Sequence, residues 1–147
     1  MGRVVALFVY PADGGPAEAR ETVVARPGGL EGDHARAPHR AVTVLALEQW
    51  REATAEVGVD LPPVARRANV VVSGVELPGA LGLRLRLGEV EIEVLGEVKP
   101  CHVMEETAPG LRAALTPAWR GGVHGRVLRA GAIRVGDEVE IGGRDGE

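Results

Sequence analysis

The sequence is short of the residues that make staples and anchors. Cys101 is its only cysteine in 147 residues, so no intramolecular disulfide can form and nothing calls for an oxidising compartment. Lys99 is its only lysine beside sixteen arginines, and the formal net charge is -4. A nucleic-acid surface normally shows a basic excess, so nucleic acid is not an expected partner. Apolar runs such as VVALFVY and AVTVLAL fall far short of the roughly 20 residues a membrane-spanning helix needs. The start, MGRVVALFVYPADGG, has the pattern of a first strand rather than of a signal peptide. The expectation is a soluble cytoplasmic chain with no membrane partner.

Aromatics make up only 3% of a chain that is 45% hydrophobic, so Val, Leu, Ile and Ala must fill the interior. Branched aliphatic side chains suit a pleated surface. Twenty-one glycines and ten prolines imply many turns. The length fits one domain over 1–147, with about 143–147 (RDGE and the glycine before it) expected to fray. The fold class expected is mostly β: a closed or nearly closed β-barrel with one or two short helices.

Strands are expected at 3–10, 21–26 and 41–47, and again within RRANVVVSGVEL. EQWREATAEV shifts to helical spacing, with Trp50, Ala53 and Val57 on one face and Arg51, Glu52 and Glu56 opposite. In LRLRLGEVEIEV, leucines alternate with arginines, then Val90, Ile92 and Val94 alternate with glutamates. A turn on Leu87 and Gly88 would pair Leu85 with Val90 inside and Arg86 with Glu89 outside, which makes these charges solvated cross-strand pairs rather than a site. GRVLRAGAIRVGDEVEI repeats the scheme around Gly136-Asp137 as a second hairpin.

Three groups could carry chemistry. Cys101, in GEVKPCHVMEE, falls between a strand end and a helix start, flanked by Lys99 and His102. Such surroundings favour a thiolate, although a lone cysteine can equally be a small buried hydrophobe. The loop PGGLEGDHARAPHR, residues 27–40, is polar and long for a compact domain, and holds Asp33, His34 and His39. It is expected to lie over the barrel mouth beside Cys101. Its histidines, with His102, His124 and Cys101, show no zinc-like spacing. Finally, Arg66 and Arg67 precede Asn69, and Arg120 and Arg126 flank GGVHG. Arginines beside glycine and a thiol have the makings of a pocket for an anion.

The ordered blocks GLEGDHARAPHRAV, RRANVVVSGV, LRLGEVEIEVLGEVKPC and RGGVHGRVLRAGAIRVGDEVEI resemble the MOSC domain, the module at the C-terminus of molybdenum cofactor sulfurases and in stand-alone bacterial proteins. The resemblance implies a mostly β-barrel fold and a molybdenum-cofactor-related function. It implies that Cys101 is either a molybdenum ligand or a carrier of persulfide sulfur. It also places Gly32, Asp33, Arg67, Asn69, Gly122 and Arg126 in the cofactor pocket, with His34 or His39 as the pocket histidine. The implied cofactor is molybdopterin, and the implied partners are a small anionic cofactor or a sulfur donor or acceptor protein. As an enzyme it would be a reductase of N-hydroxylated compounds or a sulfurtransferase. Reductase relatives carry further segments that this sequence lacks, which could come from another chain or a homo-dimer. The competing reading is a non-catalytic barrel that binds an anion or a partner and holds an inert cysteine.

Overall fold

The computed structural model describes residues 2–142, and the tail expected to fray lies outside them. The first strands are β1 (Gly2–Val9), β2 (Glu18–Arg20), β3 (Thr22–Arg26) and β4 (Gly29–Leu30). Then come β5 (Val42–Ala46), α1 (Leu47–Glu56) and β6 (Val70–Ser73), followed by β7 (Arg84–Leu87) and β8 (Val90–Glu97). Two short helices follow, α2 (His102–Thr107) and α3 (Leu111–Leu115), and then β9 (Val123–Arg129), β10 (Gly131–Arg134) and β11 (Glu138–Gly142). The described residues thus hold three α-helices rather than the one or two expected, because the stretch after Cys101 divides in two at Pro109 and Gly110.

Seven strands close a barrel in the order β11-β7-β8-β9-β5-β6-β1, and β1 returns to β11 through Gly2↔Val139 and Arg3↔Glu138. Closure leaves the barrel itself no free edge. β2 continues the sheet beyond β1, while β10, β3 and β4 form a separate small sheet. Among the described residues only β5 and β6 run parallel, joined by the crossover through α1.

Alternation sends Val42, Val44 and Ala46 of β5 into the barrel with Val70, Val72, Ile92 and Val94. Leu45, on the opposite face of β5, packs beneath Trp50, Ala53, Met104, Leu111 and Leu115. β5 is therefore buried on both faces, as its unbroken apolar sequence requires. The Trp50 indole N–H donates to the Leu61 carbonyl at 2.9 Å, which satisfies its polar atom inside the helical layer.

The β7–β8 hairpin buries the expected face in a different register. Leu87 pairs with Val90, Leu85 with Ile92, and Arg86 with Glu91, around a Gly88-Glu89 turn in which Gly88 has φ +62°. Relative to the sequence expectation the register moves by two residues, which preserves which side chains point inward. Arg86 bonds Glu140 on β11 at 2.5 Å, an exposed pair as expected of this surface. The second hairpin does not form. The turn at Gly136-Asp137 exists, with the Asp137 N–H donating to the Arg134 carbonyl at 3.0 Å, but β10 pairs with β3 and β11 pairs with β7 and β1. Ile133 and Val139 both reach the core from different sheets while Val135 is exposed, so the alternation holds in part and the pairing does not.

Candidate functional site

The end of the barrel where β5 and β6 begin opens into a cavity of about 250 Å³. Its wall includes Thr43 and Val44 of β5, Ala68 before β6, Val98 after β8, Gly121 before β9, and Cys101 with Val103 and Met104 at the start of α2. The loop 27–40 contributes His34, Arg36 and Arg40. Arg66 and Arg67 complete the ring of cations, and Asp13 is the one carboxylate in the lining. The thiol of Cys101 is exposed and unbridged. Lys99 and His102 are exposed and outside the lining, whereas Arg36, Arg40, Arg66 and Arg67 share it with Cys101.

The four arginines are held differently. Arg36 is committed to Asp33, with Nε to Oδ2 at 2.5 Å. Arg67 adopts φ +64°, a left-handed conformation uncommon outside glycine, and lays its guanidinium 4.4 Å from the centre of the Tyr10 ring. Arg66 is only 9% exposed; its Nε donates to the Gly121 carbonyl at 3.1 Å and its Nη2 to the Val98 carbonyl at 2.9 Å. Burial pushes the Arg66 guanidinium below its ordinary value, the charge of nearby Cys101 pulls it back up, and Arg40 pushes it down. Among the described residues Arg40, Arg66 and Arg67 have no carboxylate within ion-pair distance.

A buried polar node holds this arrangement. The Asp33 side chain, 2% exposed, accepts from the Tyr10 N–H at 2.8 Å, from Arg36, and from Asn69 Nδ2 at 3.4 Å. Asn69, fully buried, also donates to the Phe8 carbonyl at 3.2 Å and accepts from the Thr43 N–H at 3.1 Å. One amide thus ties the loop to β1 and β5. Burial is the main cause that lifts the Tyr10 phenol to about 12; Arg67 and Arg36 oppose the rise, Asp33 adds to it, and the hydroxyl donates to the Ala68 carbonyl at 3.1 Å.

Of the residues singled out from sequence, Cys101, His34, Arg66 and Arg67 line the cavity together. Asp33 and Asn69 stand behind it as the bracing node, and Gly32 sits in the loop with φ +87°. Gly122 has φ +96° and lies against the Val44 carbonyl, where a Cβ would come within 2.5 Å, so it shapes the wall without lining it. Arg126 is placed elsewhere: it is exposed on β9 and bonds Glu93 at 2.6 Å across the β8–β9 pair, where alternation turns it out of the barrel. Arg120 bonds Glu56 at 2.5 Å and the Ala114 carbonyl at 3.0 Å, joining α1 to α3. Among the lining residues that escaped the sequence reading as site members are Arg36, Arg40 and Gly121. Their signal was position in the loop and beside Gly122, which does not distinguish them from surface arginines and turn glycines. Gly121 has a definite role, because a Cβ there would strike the Val98 carbonyl and lie 3.0 Å from Arg66 Nη2. Gly121→Ala is expected to cost about 2 kcal/mol or more and to disorder Arg66, seen as a lowered Tm with weakened anion binding.

His39 also lies outside the cavity. The Nδ1–H of His124 donates to the His39 carbonyl at 3.0 Å, and the two rings meet edge to face with centroids 5.8 Å apart. This clamps the turn Pro38–Arg40, and with it Arg40, onto β9. Burial is the largest cause that pushes His124 below its ordinary 6.5, with Arg40 and His39 adding to it against the carbonyl bond. A histidine depressed in the fold stabilises above its unfolded value and loses that contribution as pH falls through the folded value. Between about pH 7.5 and pH 5 the wild type is therefore expected to lose more Tm than His124→Gln, by thermal melts at matched ionic strength.

The MOSC domain family model matches residues 31–140. The chain belongs to the MOSC domain family. That family is associated with molybdenum-cofactor-related proteins. Among solved structures, the YUAD protein of Bacillus subtilis superposes with a TM-score of 0.80 at 21% identity, covering 99% of this chain and 98% of that one. YiiM of Escherichia coli gives 0.72 at 19%, covering 99% and 72%, and YiiM of Geobacillus stearothermophilus gives 0.72 at 18%, covering 96% and 75%. At these identities the likeness shows a shared fold. No curated protein matches the chain. Among the described residues no helix is long and apolar enough to cross a membrane.

Proposed function

We propose that this MOSC chain is a cytoplasmic molybdenum-cofactor-related protein that holds an anionic, phosphate-bearing cofactor in the cavity, with Cys101 as the protein's ligand to molybdenum. The observation that carries this reading is one cavity shared by an exposed thiol and three guanidinium groups without carboxylate partners. The residues fit such a group. A thiolate is a soft ligand, and arginine is the side chain that pairs phosphate in two-point fashion. No cluster of three or more His, Cys, Asp or Glu able to hold a metal ion occurs among the described residues. A metal bound through Cys101 would therefore bring its other ligands with it, as a cofactor-borne metal does.

In this reading Arg40, Arg66 and Arg67 bind and orient the phosphate, and His34 is a hydrogen-bonding group at the rim. The cofactor would supply redox chemistry for reduction of N-hydroxylated compounds. The exposure of Cys101 favours a second reading, in which the thiol carries sulfane sulfur and needs no metal. The test is production in a cofactor-competent host, followed by molybdenum analysis and fluorescence of the oxidised pterin released on denaturation. Molybdenum and pterin in equal amounts support cofactor binding, and protein free of both contradicts it.

A further inference from the structure

The cavity combines two features whose joint consequence goes beyond holding a cofactor. Among the described residues Arg66 is about nine-tenths buried yet has no carboxylate partner; both of its hydrogen bonds go to neutral carbonyls. A buried charge left unpaired is costly, so the site is built to receive negative charge. Arg40 and Arg67 bring two more cations that no carboxylate neutralises, whereas Arg36 is already matched by Asp33. Asp13, the single lining carboxylate, is exposed at the rim. An anion received there would share the cavity with an exposed thiol. A space of about 250 Å³ admits a small oxyanion whole.

We infer that the cavity takes sulfur directly from a small dianionic sulfane-sulfur donor of the thiosulfate class; this rests on the reading of Cys101 as a sulfur carrier. The oxyanion end of the donor sits against Arg40, Arg66 and Arg67, and its outer sulfur faces Cys101. The thiolate Sγ attacks that outer sulfur. The Sγ–S bond forms as the donor's S–S bond breaks, and the electron pair leaves with sulfite. Cys101 becomes a persulfide; one thiolate and one thiosulfate dianion give one persulfide anion and one sulfite dianion, with no further oxidant or reductant. The guanidinium groups hold the leaving sulfite as they held the donor, so they assist both approach and departure.

The test treats the purified protein with thiosulfate and, separately, with a neutral organic trisulfide, following intact mass and released sulfite. Thiosulfate is expected to add one sulfur atom at Cys101 with one sulfite released, and Cys101→Ser to add none. Arg40→Ala and Arg67→Ala should each slow the thiosulfate reaction roughly tenfold while changing the trisulfide reaction less than about twofold, since only the charged donor uses them. These two variants leave the carbonyl bonds of Arg66 intact and so separate anion binding from folding. Loading by trisulfide but not by thiosulfate would overturn the anionic donor and leave the carrier reading standing. Loading by neither would overturn both.

Discussion

Replacing Asn69 by Ala is expected to destabilise the protein by about 2–4 kcal/mol, a drop in Tm on the order of 10 °C. The side chain is fully buried and has a partner for each of its polar atoms: Thr43 on β5, Phe8 on β1, and Asp33 in the loop. Truncation leaves the Thr43 N–H and the Phe8 carbonyl buried without this partner, and that desolvation cost is larger than the net worth of the bonds themselves. It also removes a donor from the Asp33 carboxylate, which holds Arg36 at the cavity and accepts from the Tyr10 N–H. Loss of stability should therefore come with weaker anion binding. Asn69→Asp is expected to be worse, because it sets a second carboxylate beside Asp33. Equilibrium denaturation with matched phosphate titrations checks both effects; an Asn69→Ala protein of wild-type stability would remove the node from the account.

Cys101→Ser is expected to do the opposite. The residue is exposed and precedes α2 without capping it through its side chain, so the variant should melt within about 1 °C of wild type. Molybdenum retained on purification should nevertheless fall at least tenfold, since a hydroxyl is a poor replacement for a soft thiolate. Released pterin should fall less than molybdenum, because the arginines proposed to receive the phosphate are untouched. Arg67→Ala should lower both in proportion. A Cys101→Ser protein with full molybdenum would show that sulfur is not the ligand, and a large loss of Tm would restore the reading of a structural cysteine.

The barrel was legible because period-two alternation survives any even error. LRLRLGEVEIEV buries Leu85, Leu87, Val90 and Ile92 whether the turn falls on Leu87-Gly88 or Gly88-Glu89, so the face was right while the register was not. Ile133 and Val139 show the limit of that signal: alternation marks which side is apolar and leaves open which strand lies alongside. The site was less legible for a similar reason. Arg67 and Arg126 look alike in sequence, each an arginine in or just before a strand. A left-handed turn directs Arg67 onto Tyr10 and the cavity, whereas alternation on β9 sends Arg126 out to Glu93. Arg66 differs from both through contacts with Val98 and Gly121, which are distant in the chain and meet only after the barrel closes.

The central claim is that Cys101 and the unpaired arginines face one anion-binding cavity. The rate of Cys101 alkylation by iodoacetamide, measured with increasing inorganic phosphate against sodium chloride of equal ionic strength, tests it most directly. Phosphate seated among Arg40, Arg66 and Arg67 should slow alkylation saturably beyond the effect of chloride, and Arg67→Ala should weaken that protection roughly tenfold. Alkylation that responds to phosphate and chloride alike, or that is protected equally in Arg67→Ala, would contradict it.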